Sequence, residues 1–426
     1  MIGIGTGAIA LGGGAGNWVA RDPVARNAHL YFSPATGRYA RDGVPVSFSQ
    51  MGTFEAAGTR FERKQGSPLL TPVGVDVPRL ADYSTGSRRW LMEGTATNRH
   101  AFGTLNQTEG WEASFTGPNE WKLEATVLAP DGLNTIGSYE YRDRAFYRTV
   151  GNLVEGATYT ASCWVKCSPE GVGKPLYLRK PGAAPVLEDP DLIDNYGQIT
   201  LDGTWQRITA TRTIDAGDGT SYNWLLENRL STSLPGIFDD NYQIAVWGAQ
   251  LEEGDVATSV IETAGSSATR APEFFTSDLS GFGIGGANGC WVYANFTLSD
   301  EENSADRIFQ LGDDNPNSAQ VYYDQAAGEL IARSVTDYNA QFIASVPYTK
   351  GTDVKVAYRM ENGNFAFVVN GVEISGTGSG IFPSAGALYV ASSASGLSKP
   401  RLVEFAELWV APAPSYTVAS MEALTA

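Results

Sequence analysis

A sugar ring presents an apolar C–H face edged by hydroxyls. A protein that holds one lays an aromatic ring on that face and surrounds it with hydrogen-bonding groups. The stretch TYTASCWVK, residues 158–166, carries such a mixture at strand spacing. Tyr159, Ala161, Cys163 and Val165 share one face and read as core, while Thr158, Thr160, Ser162, Trp164 and Lys166 share the other. A tryptophan among Thr, Ser and Lys makes Trp164 the leading sugar platform; the competing reading is that a neighbouring segment or subunit caps it. Just upstream, Trp111, Trp121, Tyr139, Tyr141 and Tyr147 crowd together, and SYEYRDRAFY offers Tyr141, Arg144 and Tyr147 to a concave site. Further on, Tyr322, Tyr323 and Tyr338, with Asp324, gather polar aromatics near turns, where loops commonly carry function. Trp205 and Trp247 are expected as packing residues, and Trp224 is left undecided.

Residues for bond-breaking chemistry are sparse. The chain has 2 histidines, His29 and His100, both in linking segments. A Ser-His-Asp or Cys-His arrangement needs one of them poised between a carboxylate and a nucleophile, and nothing around either marks that. A glycosidase needs only two carboxylates, so the shortage of histidine does not exclude one. No Gly-rich loop ends in Gly-Lys-Ser/Thr, so no phosphate cradle is visible. The acidic groups Glu188-Asp189-Asp191-Asp194, Asp239-Asp240 and Asp313-Asp314 read as solvated turns, and none matches a twelve-residue calcium loop. No catalytic residue, metal ligand or cofactor is therefore assigned.

A formal net charge of −17 argues against a nucleic-acid partner, because phosphate binding needs clustered Lys and Arg. It argues against anionic membranes for the same reason, and no apolar run is long enough to span a bilayer as a helix. A neutral glycan or a basic protein surface remains compatible. Cys163 and Cys167, on one extended strand, stand about 13 Å apart, too far for a disulfide. With Cys290 they are expected as reduced, buried apolar residues. The N-terminus MIGIGTGAIALGGGAG lacks a basic stretch, so a secretory signal is not expected. It is either a loose end or a docking arm.

A chain of 426 residues is expected to form two or three domains. The 48 glycines and 21 prolines suit many short strands joined by turns. Strands are predicted at 59–61, 75–78, 121–128, 145–150, 158–167, 176–179, 206–213, 222–226, 242–251 and 258–261. A second series falls at 289–298, 306–311, 320–324, 329–334, 353–360, 364–369, 387–391 and 403–410. The pair Asn370-Gly371 closes a hairpin. The expected fold class is all-β: two antiparallel β-sandwich (jelly-roll) domains preceded by an irregular N-terminal attachment segment. A short helix or a frayed end follows at 417–425.

Several ordered motifs resemble known families. VWGAQLEEGDVATSVIETAGSSATRAP, residues 246–272, resembles the closing strand and exit linker of carbohydrate-binding-module-like jelly-rolls in tailed-phage virion fibres. The order Thr59-Arg60-Phe61, Val75 to Pro78, Leu91-Met92-Glu93-Gly94, Thr97-Asn98 resembles the segment that precedes such modules. GATYTASCWVK and GTWQRITATRT resemble two of their strands. WVYANF, RIFQLG, VKVAY and FVVNG, in that order, resemble laminin-G-like and concanavalin A-type sandwiches. The resemblance implies an attachment arm at 1–100, a carbohydrate-binding-module-like jelly-roll at 101–271, a concanavalin A/laminin-G-like sandwich at 272–415 and a tail at 416–426. It implies a phage virion structural protein, a tail fibre, head fibre or spike, that recognises host surface polysaccharide and is not an enzyme. The partners implied are other virion proteins, met through Ile2, Ile4, Ile9, Leu11 and Trp18 of the arm, and further copies in a homotrimer, with assembly in the bacterial cytoplasm. Calcium is the ion to consider, since both families often bind it. Two alternatives stay open: a decoration protein without glycan binding, and a polysaccharide depolymerase. Against the latter, glucanases on concanavalin-type folds carry a Glu-x-Asp-x-x-Glu strand, and the nearest stretch here, at 187–191, is broken by Pro190.

Overall fold

The computed structural model describes residues 18–34, 36–57, 60–63, 70–81, 89–101, 112–113, 123–133, 135–141, 145–182, 194, 196–218, 220–227, 242–285, 288–300, 305–312, 317–376, 378, 380, 382, 385–393, 400 and 402–426. Within these the chain is all-β, with every strand pair antiparallel, and it forms two sandwiches.

The first sandwich packs two 5-stranded sheets. One runs, in spatial order, Glu112–Ala113, Ala145–Gly151, Ser221–Glu227, Pro175–Arg179, Tyr196–Thr200. The other runs Leu123–Leu128, Thr135–Tyr141, Tyr242–Glu253, Thr158–Cys167, Gln206–Thr213. The alternation in Thr158–Cys167 does what a two-residue period dictates. Tyr159, Ala161, Cys163 and Val165 meet Leu176, Leu178, Ile208, Trp224 and Leu226 between the sheets. Each large apolar side chain buried there contributes about 1.5–3 kcal/mol.

The second sandwich packs a 10-stranded sheet on a 7-stranded one. Its central strand, Leu402–Pro412, pairs along most of its length with Cys290–Asp300. Its other edge is filled by two strands from the start of the chain: Leu30–Ser33 against Leu408 to Val410, and Arg89–Glu93 against Leu402 to Phe405. Thr53–Glu55 likewise closes the facing sheet by pairing with Phe274–Asp278. The core mixes both sources: Phe32, Met51, Phe54, Trp90 and Met92 pack with Phe275, Val292, Phe296, Phe405 and Leu408. Asn370 and Gly371, both at positive φ (47° and 83°), make the predicted hairpin between Ala366–Val369 and Val372–Ile374.

The linear division into arm, jelly-roll and second sandwich therefore needs correction. Residues 30–55 and 89–93 are strands of the second sandwich, and the first sandwich is inserted between them and the C-terminal part. Where the chain leaves and re-enters, Ala96–Asn98 pairs with Ala268–Arg270 as a two-stranded neck. Asn98 is fully buried and spends its whole hydrogen-bonding capacity there. Its amide donates to the Ala249 and Ile261 carbonyls, and its oxygen accepts from the His100 and Leu251 N–H groups.

The segment predicted as a strand at 258–261 is not one. It is an extended cover laid on the outer face of Thr158–Cys167, and side-chain bonds rather than a ladder satisfy it. The predicted strand at 75–78 is a turn, and between residues 101 and 415 four strands of five residues or more went unforeseen: Thr135–Tyr141, Tyr196–Thr200, Phe274–Asp278 and Asn339–Pro347. Their polar alternation lacks a hydrophobic run. Val418–Thr425 is a helix, capped by the Thr417 hydroxyl on the Ser420 N–H.

Candidate functional site

A polar cleft of about 460 Å³ opens at one end of the second sandwich, lined by Arg41, Ser49, Gln50, Met51, Gly52, Thr53, Thr276, Asp278, Gly386 and Ala387. Four segments build it, two from the start of the chain and two from beyond residue 275. Strand pairing sets Thr53 opposite Thr276, which puts two hydroxyl-bearing residues side by side. Gly52 is required: a Cβ there would stand 2.2 Å from the Thr276 carbonyl oxygen and 2.6 Å from the Phe275 ring. The Ser277 hydroxyl ties the Met51 carbonyl at 2.6 Å and fixes the turn that carries Ser49 and Gln50.

Arg41 spans the mouth. Its guanidinium donates to the Asp278 carbonyl at 2.7 Å and lies 5.1 Å from the Phe282 ring centroid, and the His29 ring packs tilted against the same ring at 4.4 Å. Bonds from the Ser280 hydroxyl and backbone N–H, helped by the Arg41 charge, hold the Asp278 carboxyl below the usual range, so it is an ionised acceptor at neutral pH. The wall thus combines a cation, a carboxylate, an amide and three hydroxyls. Among the described lining residues Asp278 is the one carboxylate. A volume of this size suits one or two sugar rings.

The residues expected to carry the site land elsewhere. Trp164 is buried, at 7% exposure, so the open platform is corrected and the capping alternative holds. Phe61 and Leu70, from a hairpin of the preceding segment, join Val260, Trp205 and Trp247 around it. These tryptophans pack on the outside of the sheet, with Trp164 opposite Trp247 in register. Trp224 lies between the sheets and donates its indole N–H to the Gln250 carbonyl at 3.2 Å.

Tyr141 pairs with Tyr242 in one sheet, and Tyr147 pairs with Leu225 in the facing sheet, so their strands do not present one surface. Trp111 and Arg144 lie outside the described residues. Tyr322 and Tyr323, as sequence neighbours on a strand, point to opposite faces. Tyr322 lies under the Arg307 guanidinium at 4.8 Å, while Tyr323 is 6% exposed and packs into the core. Tyr338, 72% exposed at a turn beside Asn317, stands at the other end of the same strand pair, about 13 Å or more away along the strand. The three therefore form no cluster; only Tyr338 is open.

Of the anchoring residues, Ile2, Ile4, Ile9 and Leu11 lie outside the described residues. Trp18 does not project. It packs tilted against Tyr31 at 5.9 Å beneath Arg38, in a small aromatic core on the outer face of the second sandwich with Trp291, Tyr293, Trp409 and Tyr416. Burial, helped by the Asp22 charge and opposed by a hydrogen bond with Tyr31, raises the Glu407 carboxyl on this face to about 7.

Among the described residues no three His, Cys, Asp or Glu side chains converge as metal ligands. Of the acidic groups considered for calcium only Asp194 is described, and it is exposed. Cys163, Cys167 and Cys290 are free and buried, and burial raises all three thiols. No described helix is long and apolar enough to cross a membrane.

The molecule is an all-β double-sandwich protein with a polar cleft at one end. A scan for protein families finds no match, and neither does a sequence comparison with curated proteins. Solved structures share its β character at low similarity. A native heptameric SAP-like pentraxin from Limulus polyphemus is 13% identical over 33% of this chain and 70% of its own, with a TM-score of 0.25. Mouse laminin alpha1 domains LG4-5 are 10% identical over 62% of this chain and 87% of their own, with a TM-score of 0.24. A Trypanosoma rangeli sialidase with the inhibitor DANA is 14% identical over 41% of this chain and 29% of its own, with a TM-score of 0.27. At these scores the fold assignment stands on the strand pairings alone.

Proposed function

We propose that this chain is a binding and display protein that holds a glycan in the Arg41–Asp278 cleft without transforming it. The observation that carries the reading is the lining: a lip arginine, hydroxyls and an amide around a single described carboxylate. With no aromatic ring among its described lining residues, that set holds a sugar by hydrogen bonds to its hydroxyls, and it presents one described carboxylate where glycoside hydrolysis uses two. The net charge of −17 favours a neutral saccharide over a polyanionic one.

The setting we propose is the one that the sequence motifs imply, a tailed-phage fibre, head fibre or spike facing host polysaccharide, assembled with other virion proteins and with itself as a trimer. Single contacts of this kind are weak, and repeated copies raise avidity by about 10²–10⁴. Burial of Trp164 favours the decoration alternative as the second reading, because it removes the sandwich face first expected to bind.

The test is titration calorimetry of the full chain against neutral oligosaccharides, beside Asp278→Ala. Binding by the wild type and a loss of about tenfold or more in the variant support the cleft. Absence of binding across a broad neutral panel leaves the decoration reading, and released oligosaccharide establishes the enzyme. Antibody labelling of intact particles decides the virion assignment separately.

A further inference from the structure

The ordered motifs that precede and follow the first sandwich converge on one buried ion cluster at the neck. Arg60, Arg79 and Glu93 come from the incoming chain, Arg270 and Glu273 from the outgoing chain, and each is at most 6% exposed. The Arg60 guanidinium pairs with one Glu273 carboxylate oxygen and also donates to the Gly74 and Val77 carbonyls. Arg79 bridges the two acids, 2.5 Å from Glu93 and 2.5 Å from Glu273. Arg270 reaches Glu93 at 3.0 Å and the Ser259 hydroxyl at 2.8 Å. Ser259, in the cover segment, gives both its N–H (2.7 Å) and its hydroxyl (2.6 Å) to Glu93, and the backbone N–H of Glu93 returns to Glu273 at 3.0 Å.

Three charged forks therefore hold two carboxylates whose lone pairs are filled from three separate segments. We propose that this cluster is an orientation lock, which fixes the first sandwich rigidly relative to the second and contributes little to either fold by itself.

Three observations support it. Arg60, Arg270 and Glu273 lie outside the sheets of both sandwiches, and Arg79 and Glu93 sit at the ends of two strands of the second. Their partners lie 14 to 213 residues away and meet only where the chain enters and leaves the insertion. Buried ions also tolerate little misalignment: their attraction offsets desolvation only in good geometry with the remaining hydrogen bonds made, whereas an apolar contact can slide. The two arginines at Glu93 overcome a burial that alone would raise it, and hold it down at about 2, so the lock stays ionised well into acid. At the periphery Lys350 of the second sandwich meets Asp255 beyond the first at 2.7 Å, and the Thr97 and Thr269 hydroxyls bond across the neck at 2.8 Å.

The experiment compares the full chain with Arg79→Met and Glu93→Gln by small-angle X-ray scattering and by limited proteolysis between residues 254 and 272. Expected are a single rigid profile for the wild type, and in the variants a broadened distance distribution and cleavage accelerated about tenfold or more, while near-UV circular dichroism of both sandwiches persists. Thr97 and Thr269 are cross-strand partners, within disulfide reach. Adding Thr97→Cys with Thr269→Cys to Arg79→Met restores slow cleavage when oxidised and not when reduced. Arg270→Lys keeps the charge but loses the fork, and carries the test if Arg79→Met does not accumulate as folded protein. Folded variants as rigid and as protease-resistant as the wild type overturn the proposal, as does an oxidised crosslink that leaves cleavage fast.

Discussion

The two sandwiches look alike in cross-section and differ in how the chain reaches them. The first is one uninterrupted stretch between Glu112 and Glu253, and all its strand partners lie within it. The second is closed by both ends of the chain: Leu30–Ser33 and Arg89–Glu93 complete the sheet around Leu402–Pro412, and Thr53–Glu55 completes the other. A continuous sandwich needs only its own loops to close, whereas the discontinuous one must bring together residues hundreds of positions apart. Loop closure costs only logarithmically more with length, so the arrangement is thermodynamically affordable, while pairing at that range is of the kind that slows folding. It also places the candidate cleft, whose arginine and aspartate lie 237 residues apart, in the part of the molecule that depends on both ends.

Deleting residues 18–57 is the most drastic way to break the contrast. The second sandwich should lose cooperative unfolding and hydrogen-exchange protection while the first keeps both; equal damage to the two would remove the distinction. Next in size, Trp164→Ala should cost the first sandwich about 3–5 kcal/mol through the cavity it leaves, and leave glycan affinity unchanged. Denaturant melts and calorimetry on the same sample read both arms. Gln50→Ala, at the exposed edge of the cleft, should do the reverse: stability should fall by no more than about 1 kcal/mol, through the lost bond from the Ser47 N–H, while saccharide affinity falls several-fold.

The smallest effect is the pH response, which differs in sign between regions. Glu93, at about 2 when folded against an ordinary 4.5, stabilises the neck above pH 4.5, and that stabilisation is lost as the pH falls through 2. Glu407, at about 7 against 4.5, is held in its neutral form by burial. Its contribution is complete below pH 4.5 and disappears as the pH rises through 7. Thermal melts between pH 5 and 8 should show the outer aromatic core weakening with rising pH, and Glu407→Gln should flatten that trend.

Much of the strand inventory was legible in the sequence because burial on one face imposes a two-residue period. Thr158–Cys167, Gln206–Thr213 and Asp353–Met360 fall where alternation puts them. Strands whose exposed faces are polar and whose cores are thin, such as Tyr196–Thr200 and Asn339–Pro347, gave no such run. The candidate cleft was not legible at all. Arg41, Ser49, Thr53 and Asp278 are ordinary turn and strand-end residues until sheet pairing assembles them. Trp164 shows the converse: its alternation was right, but exposure depends on what lies over a face, and Phe61, Leu70 and Val260 come from other segments.

The sequence by itself determined the class: antiparallel β structure, an acidic surface, reduced cysteines and one run of motifs in fixed order. Those properties follow from local periodicity, composition and reach along an extended chain. Only the tertiary structure decided that the motif arginines and glutamates are a buried neck, that the supposed arm completes a sandwich, and which polar groups share a cleft. Each of these depends on partners hundreds of residues apart, and pairing at that range leaves no period in the sequence to read.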